Sequence, residues 1–202
     1  MSDFGKYDVY SVAGSIYCYP DSNVLKNHFS IRDNHELKEL EAEITLVRQK
    51  ALLEKPIAGR FTVSHLCRIH KMLFGDIYPF AGRFRREDIM KGQTRFLSHE
   101  QIPSKVRNLL SELQSENYLL GMEFEMLVER SAYYFAELNY IHPFREGNGR
   151  AIREFMRLLF DKNGYEVNWK AVSEDQLLCA MEESVFDTKM LCLVLKQCLK
   201  KQ

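Results

Sequence analysis

Five stretches of this chain place apolar residues at three- and four-residue intervals, and a glycine or a proline closes each one. That spacing lines one face of a helix, so the chain must fold largely by packing helices against one another. The first stretch runs through Leu37, Leu40, Ile44, Val47 and Ala51 and ends at Pro56 and Gly59. Asp33 and Glu36 stand ahead of it in the N-cap and N3 positions of a capping box. The second opens at Ser64, passes through Leu66, Ile69 and Leu73, and stops at Gly75 and Pro79. The third comprises Ile102, Val106, Leu109 and Leu113, behind a capping box of Ser98 and Gln101 and ahead of Gly121. The fourth, Phe124 to Leu138, ends before His142-Pro143, because the residue ahead of a proline is biased away from helix. The fifth holds Ile152, Phe155, Met156, Leu159 and Phe160 and stops at Asn163-Gly164. Two shorter helices are expected near Ser173 and Asp187.

Between the second and third helices the pattern changes. RFRREDIM and TRFLS are short, partly alternating runs around Lys91-Gly92-Gln93, which predicts a β-hairpin. Residues 1–34 are rich in Tyr, Ser, Asp and Gly without a helical period and read as an irregular arm. The remainder, 35–202, is expected to be a single globular unit, since 202 residues with 46% hydrophobic content fill one core and fall short of two. The expected fold class is mostly α, a helical bundle of about seven or eight helices with one β-hairpin.

Composition removes several classes of function. Lys plus Arg and Asp plus Glu each total 28, so no global charge draws the chain to nucleic acid or to an anionic membrane. No apolar run approaches the roughly 18 residues of a membrane span, and the N-terminus lacks a basic start followed by an apolar stretch, so a cytoplasmic protein is expected. The five cysteines, at 18, 67, 179, 192 and 198, form no C-x-x-C pair and read as reduced, mostly buried thiols. His65 and His70 flank Cys67 without a third ligand at a useful spacing, which makes them core or surface residues rather than a metal site. Trp169 reads as a core anchor. The signatures of P-loop NTPases, Rossmann dehydrogenases, zincins and α/β-hydrolases are missing from the sequence.

Chemistry concentrates in His142-Pro143-Phe144-Arg145-Glu146-Gly147-Asn148-Gly149-Arg150-Ala151-Ile152-Arg153, between the fourth and fifth helices. Its two glycines permit positive φ and close approach of a ligand, and the helix that follows offers unpaired amides at the positive end of its dipole. Arg150, Arg153 and Arg157 share one side of that helix, and the first two can fork onto phosphate oxygens. Glu146 supplies a hard carboxylate oxygen suited to Mg²⁺ beside substrate phosphates. His142 can take a proton from a hydroxyl at neutral pH. Together these groups make a phosphoryl or nucleotidyl transfer site. Glu137 and Asn139 lie just ahead of it as candidate braces of the loop, a role that the sequence does not decide.

HPFREGNGRAIR matches every fixed position of H-x-F-x-[DE]-G-N-G-R-x-x-R, and in this the chain resembles the Fic (filamentation induced by cAMP) family. LFGDIYPFAGRFR and DIMKGQTRF are similar to Fic segments upstream of that signature, and YCYPDSNVLKNHFSIRD resembles the start of bacterial cell filamentation proteins. The resemblance implies an adenylyltransferase that moves AMP from Mg-ATP to a Tyr, Thr or Ser hydroxyl of a target protein and releases pyrophosphate. It implies His142 as general base and Glu146 as the Mg²⁺ ligand. Gly147, Asn148 and Gly149 become the anion hole, Arg150 a β-phosphate contact, Arg153 a γ-phosphate contact and Phe144 a hydrophobic support. Doc-like kinases replace the second glycine by lysine and lack the last arginine, and phosphocholine transferases depart in the same part. Gly149 and Arg153 thus favour AMP as the group moved.

The hairpin segment of Asp88, Ile89, Met90, Lys91, Gly92, Gln93, Thr94, Arg95 and Phe96 resembles the family's flap, which takes the target by β-strand addition. Arg83, Arg85, Arg86, Lys91 and Arg95 outnumber Glu87 and Asp88 there, as a solvated face or as a docking patch. The inhibitory [ST]-x-x-x-E-[GN] helix of many Fic domains is missing, and Ser111–Asn117 and Ser173–Glu183 have the wrong spacing for it. The expectation is therefore a small antitoxin that supplies the helix in trans. The resemblance names the ATPase subunits of DNA gyrase and topoisomerase IV as first targets, with host Rho-family GTPases as the alternative for a secreted effector. A nucleotide-binding regulatory module without transfer is the other alternative, and intact His142 and Glu146 count against it.

Overall fold

The Asp33 carboxylate accepts the Glu36 amide at 2.8 Å, and from this cap α1 runs over Asn34–Glu54. The computed structural model describes residues 14–91 and 94–202. Within them six further α-helices follow: α2 over Val63–Phe74, α3 over Ile102–Ser115, α4 over Phe124–Ile141, α5 over Asn148–Lys162, α6 over Glu174–Glu183 and α7 over Lys189–Cys198. None of the described helices is long and apolar enough to cross a membrane.

Two short antiparallel pairs complete the element list. Strands β1 (Met90–Lys91) and β2 (Thr94–Arg95) form the hairpin that the alternation predicts, with Met90 opposite Arg95 and Lys91 opposite Thr94. Its turn residues Gly92 and Gln93 lie outside the described residues. Strands β3 (Tyr165–Val167) and β4 (Leu199–Lys201) pair Glu166 with Lys200, an element that three-residue strands leave no periodicity to announce.

Helix α5 is the hub. It packs against α2, α4 and β3, and it buries Ala151, Ile152, Phe155, Met156, Leu159 and Phe160 in one continuous core. That core draws α1 onto α2, α3 onto α4, and α7 onto α4 and α6. The expected N-terminal arm joins it from residue 14 onward: Cys18 and Leu25 form an isolated antiparallel bridge and are buried together with Val24. Residues 1–13 of that arm lie outside the described residues.

Three local expectations change. The cap of α2 is Thr62, whose hydroxyl accepts the His65 amide at 3.4 Å, so Ser64 already lies inside the helix. Ahead of α3, Ser98 makes no side-chain cap; Asp88 reaches across and accepts both the His99 amide at 2.7 Å and its Nδ1 at 2.8 Å. On α1 the buried residues are Leu37, Glu41, Thr45 and Leu52, while Val47 is 63% exposed. The helix is rotated from the orientation its apolar residues predict, because Glu41 and Thr45 have partners inside.

Candidate active site

Helix α4 ends at His142, which takes the left-handed conformation (φ 47°, ψ 62°) and donates its amide to the Leu138 carbonyl at 3.0 Å. For a residue with a Cβ this conformation costs about 1 kcal/mol, so its surroundings must hold it. The His142 ring is buried, with Nδ1 3.0 Å from the Asn139 carbonyl. A carbonyl only accepts, so Nδ1 carries the proton and Nε2 is the basic nitrogen of the neutral ring. Phe96, which directly follows β2, stacks on the imidazole at 3.8 Å and 17°. The ring is thus fixed by its own helix end and by the foot of the hairpin.

The loop that follows closes on itself. Fully buried Asn148 accepts the Phe144 amide at 2.8 Å through Oδ1 and donates Nδ2 to the Phe144 carbonyl at 2.8 Å. The Phe144 ring is buried and stacks on His70 at 3.9 Å. Gly82 donates its amide to His70 Nδ1 at 2.9 Å, so Nε2 carries the proton and donates to the Glu146 carbonyl at 2.8 Å. Burial pushes the His70 pKa down to about 3, which keeps this brace neutral.

Gly147 caps α5 with φ +74°, and a Cβ there would lie 2.2 Å from the Phe74 ring, so the turn needs glycine twice over. Ala151 donates its amide to the Gly147 carbonyl at 3.1 Å, and the first-turn amides of a helix point outward from its N-terminus. This is a cradle for an anion. Arg150 stands beside it with Nη2 2.5 Å from Glu41 Oε1, Nη1 3.3 Å from Thr45 Oγ and its guanidinium carbon 4.7 Å from the Phe74 ring centre. The Arg153 guanidinium reaches back to Gly149, where a Cβ would meet Nη1 at 3.2 Å. Buried Glu146 places Oε1 3.0 Å from the Gly147 amide and 3.8 Å from Arg150.

Two further arginines tie this loop to the hairpin. Arg85, its side chain fully buried, donates Nε to the His142 carbonyl and Nη1 to the Glu87 carbonyl, each at 2.8 Å. Its Nη2 serves the Ile141 carbonyl at 3.2 Å and the Leu97 carbonyl. A cation thus sits on the negative end of the α4 dipole and joins both feet of the hairpin to the base. Arg145 pairs with Glu87 at 2.9 Å in a nearly dry setting, and Glu87 also accepts the Ser15 hydroxyl at 2.7 Å and the Ile16 amide at 3.1 Å.

With this geometry in place, comparison with known proteins decides the family: the model of the Fic/DOC family matches residues 60–160. The chain belongs to the Fic/DOC family. It is 36% identical over 157 residues to the protein named probable protein adenylyltransferase Fic of Salmonella typhimurium, covering 78% of each chain. It is also 36% identical over 177 residues to the protein adenylyltransferase VbhT of Bartonella schoenbuchensis. That match takes in 88% of this chain, which spans only 37% of the VbhT length. Among solved structures, the N-terminal Fic domain of a VirB-translocated Bep effector from Bartonella quintana, with bound ADP, superposes with a TM-score of 0.85 at 25% identity. The superposition covers 92% of this chain and 95% of that one.

In this Fic domain His142, Phe144, Glu146, Gly147, Asn148, Gly149, Arg150 and Arg153 converge on one end of α5, and the described hairpin residues end against His142. The basic surplus of the hairpin resolves in part: Arg85 is an internal tie, and Glu87 and Asp88 are spent on Arg145 and His99. His65 and His70 are satisfied core residues as expected, His65 accepting the Phe61 amide at 3.3 Å and donating to the Ile57 carbonyl at 2.8 Å. Sequence reasoning missed Glu41, Thr45, His70 as a loop brace and Arg85, while Asn139, a candidate brace that the sequence leaves open, holds His142 through its carbonyl. Only the Arg-rich run at 83–86 carried a signal, and its excess charge pointed outward rather than inward. Among the described residues no three His, Cys, Asp or Glu side chains could hold a metal alone. A lone carboxylate such as Glu146 fits Mg²⁺, which takes its other ligands from phosphates and water.

Proposed function

We propose that this chain transfers AMP from ATP to the hydroxyl of a target protein. The enzyme class follows from its relatives: proteins of Salmonella typhimurium and Escherichia coli at 36% and 34% identity, 78% of whose lengths it covers, are named probable protein adenylyltransferases. Nucleotide as co-substrate is supported by the amide cradle with Arg150 and Arg153 beside it, and by the ADP held in the Bartonella quintana domain. The observation that carries the reaction is the His142 tautomer, set by the Asn139 carbonyl.

In the step proposed, the target hydroxyl oxygen attacks the α-phosphorus, its proton passes to His142 Nε2, and the bond to pyrophosphate breaks. The Nδ1 bond to Asn139 steadies the imidazolium that results. The amides of α5 with Arg150 and Arg153 hold the departing charge, and Glu146 would hold Mg²⁺, which neutralises phosphate oxygens when bound. The flap, Asp88 to Phe96, would hold the target as an added strand, its last residue lying on the base.

The finer reading is a bacterial Fic toxin acting in the cytoplasm on the ATPase subunits of gyrase and topoisomerase IV, restrained by an antitoxin in trans. It rests on likeness to bacterial Fic proteins and on the lack of the inhibitory sextet within these 202 residues. The test is incubation with ATP labelled on the α-phosphate, Mg²⁺, bacterial lysate and purified gyrase, beside His142→Ala. Label on a protein only with His142 intact is the expected result, and it identifies the target. ATP binding without label on any protein would refute transfer, and label on lysate proteins but not on gyrase would refute the gyrase target.

A further inference from the structure

We propose that Glu41, on α1, is a positioning residue of the nucleotide site, holding the Arg150 guanidinium in place for the pyrophosphate part of the nucleotide. This rests on the reading of Arg150 as a phosphate contact. Glu41 lies outside the residues that the family model matches, so α1 contributes to a site that the matched region does not contain in full.

Glu41 is a buried carboxylate on the inward face of α1, and a carboxylate there is costly unless its oxygens are used. Both are used: Oε1 faces Arg150 Nη2 at 2.5 Å, and Oε2 accepts the hydroxyl of buried Tyr78. Burial and the neighbouring carboxylates raise the Tyr78 pKa well above its ordinary value, so the phenol stays a donor and orients Glu41. One turn along α1, the Thr45 hydroxyl gives its proton to the Glu41 carbonyl at 2.7 Å, which turns its lone pairs toward Arg150 Nη1 at 3.3 Å. The Phe74 ring lies against the guanidinium. Four side chains from α1, α2 and the loop after α2 therefore fix one arginine of the first turn of α5.

Pure packing does not call for this arrangement, since replacing a buried ion pair by apolar groups of similar volume is often neutral or stabilising. What the pair adds is direction. A guanidinium held by carboxylate and hydroxyl on one side presents its planar fork to a ligand without first losing rotamer freedom.

The test is calorimetric binding of Mg-ADP, Mg-ATP and AMP to the full chain and to Glu41→Gln, which keeps the side-chain volume and the acceptor for Tyr78. Loss of one charge-assisted contact predicts about tenfold weaker ADP and ATP binding, with AMP changed less than about twofold. In an Arg150→Gln background the same change should add nothing, a result that a general structural role would not give. Tyr78→Phe, which only loosens the carboxylate, should weaken ADP by a smaller factor in the same direction. Glu41→Gln that binds ADP as the wild type does, or more tightly, overturns the inference, as does equal loss for AMP or an additive effect with Arg150→Gln. A wild-type chain that binds none of the three nucleotides overturns the functional reading and the inference with it.

Discussion

Arg85→Met keeps the length of the buried side chain and removes its fork, leaving the carbonyls of Glu87, Leu97, Ile141 and His142 without their donor. Each bond to a charged donor contributes about 1.5–3 kcal/mol, but relief from burying a cation offsets part of the sum. The expected net loss is about 4 kcal/mol, at the upper end for a single substitution. A chain of this size loses roughly 2–4 °C in Tm per kcal/mol, so the melting point should fall by about 8–16 °C while the variant stays folded at 25 °C. Arg85 bonds to the His142 carbonyl and to both feet of the hairpin, on the side of the base. AMP transfer should therefore fall by more than tenfold while ADP affinity changes less than about threefold, a gap of at least about 0.7 kcal/mol between the two effects. Thermal melts, calorimetry and labelled transfer on one preparation read all three. Arg85→Lys should recover less than half of the stability, because one ammonium cannot span four carbonyls. A Tm within 3 °C of wild type, or equal losses of binding and transfer, would refute the reasoning.

Two other outcomes follow from the same geometry. Gly147→Ala places a methyl 2.2 Å from the Phe74 ring at φ +74°, so it should lower Tm and abolish ADP binding together; calorimetry showing wild-type affinity would contradict the cradle. His70 has a folded pKa of about 3 against an ordinary 6.5, so the unfolded chain binds the extra proton between those values and stability must fall as pH drops below 6.5. At pH 5 this histidine alone removes about 2 kcal/mol relative to pH 7.5, and buried His65, also shifted down, acts in the same sense. Urea midpoints at the two pH values measure it, and an unchanged midpoint would rule it out.

The legible parts of this molecule were those whose causes lie close together in the chain. Asp33 caps α1 three residues on, Ser173 and Gln176 form the box that opens α6, and the loop from His142 to Asn148 carries its chemistry in consecutive letters. What stayed hidden depends on partners far away. Glu41 meets Arg150 across 109 positions and Arg85 meets His142 across 57, and nothing local marks either as internal. Periodicity counts apolar residues, so a helix that buries Glu41 and Thr45 is assigned the wrong inward face. The Asp88 cap on His99 and the β3–β4 pair escaped for the same reason: each joins segments whose own letters are unremarkable.

The Phe96 ring, parallel to the His142 imidazole at 3.8 Å, closes one face of the base. An imidazole nitrogen receives a proton in the ring plane, along its lone pair, and not through its face. A covered face therefore restricts arrivals to the edge, and an incoming side chain must point its oxygen along that line. Direction of approach becomes a filter in its own right, one that passes any hydroxyl carried at the right angle and turns away a better nucleophile carried at the wrong one.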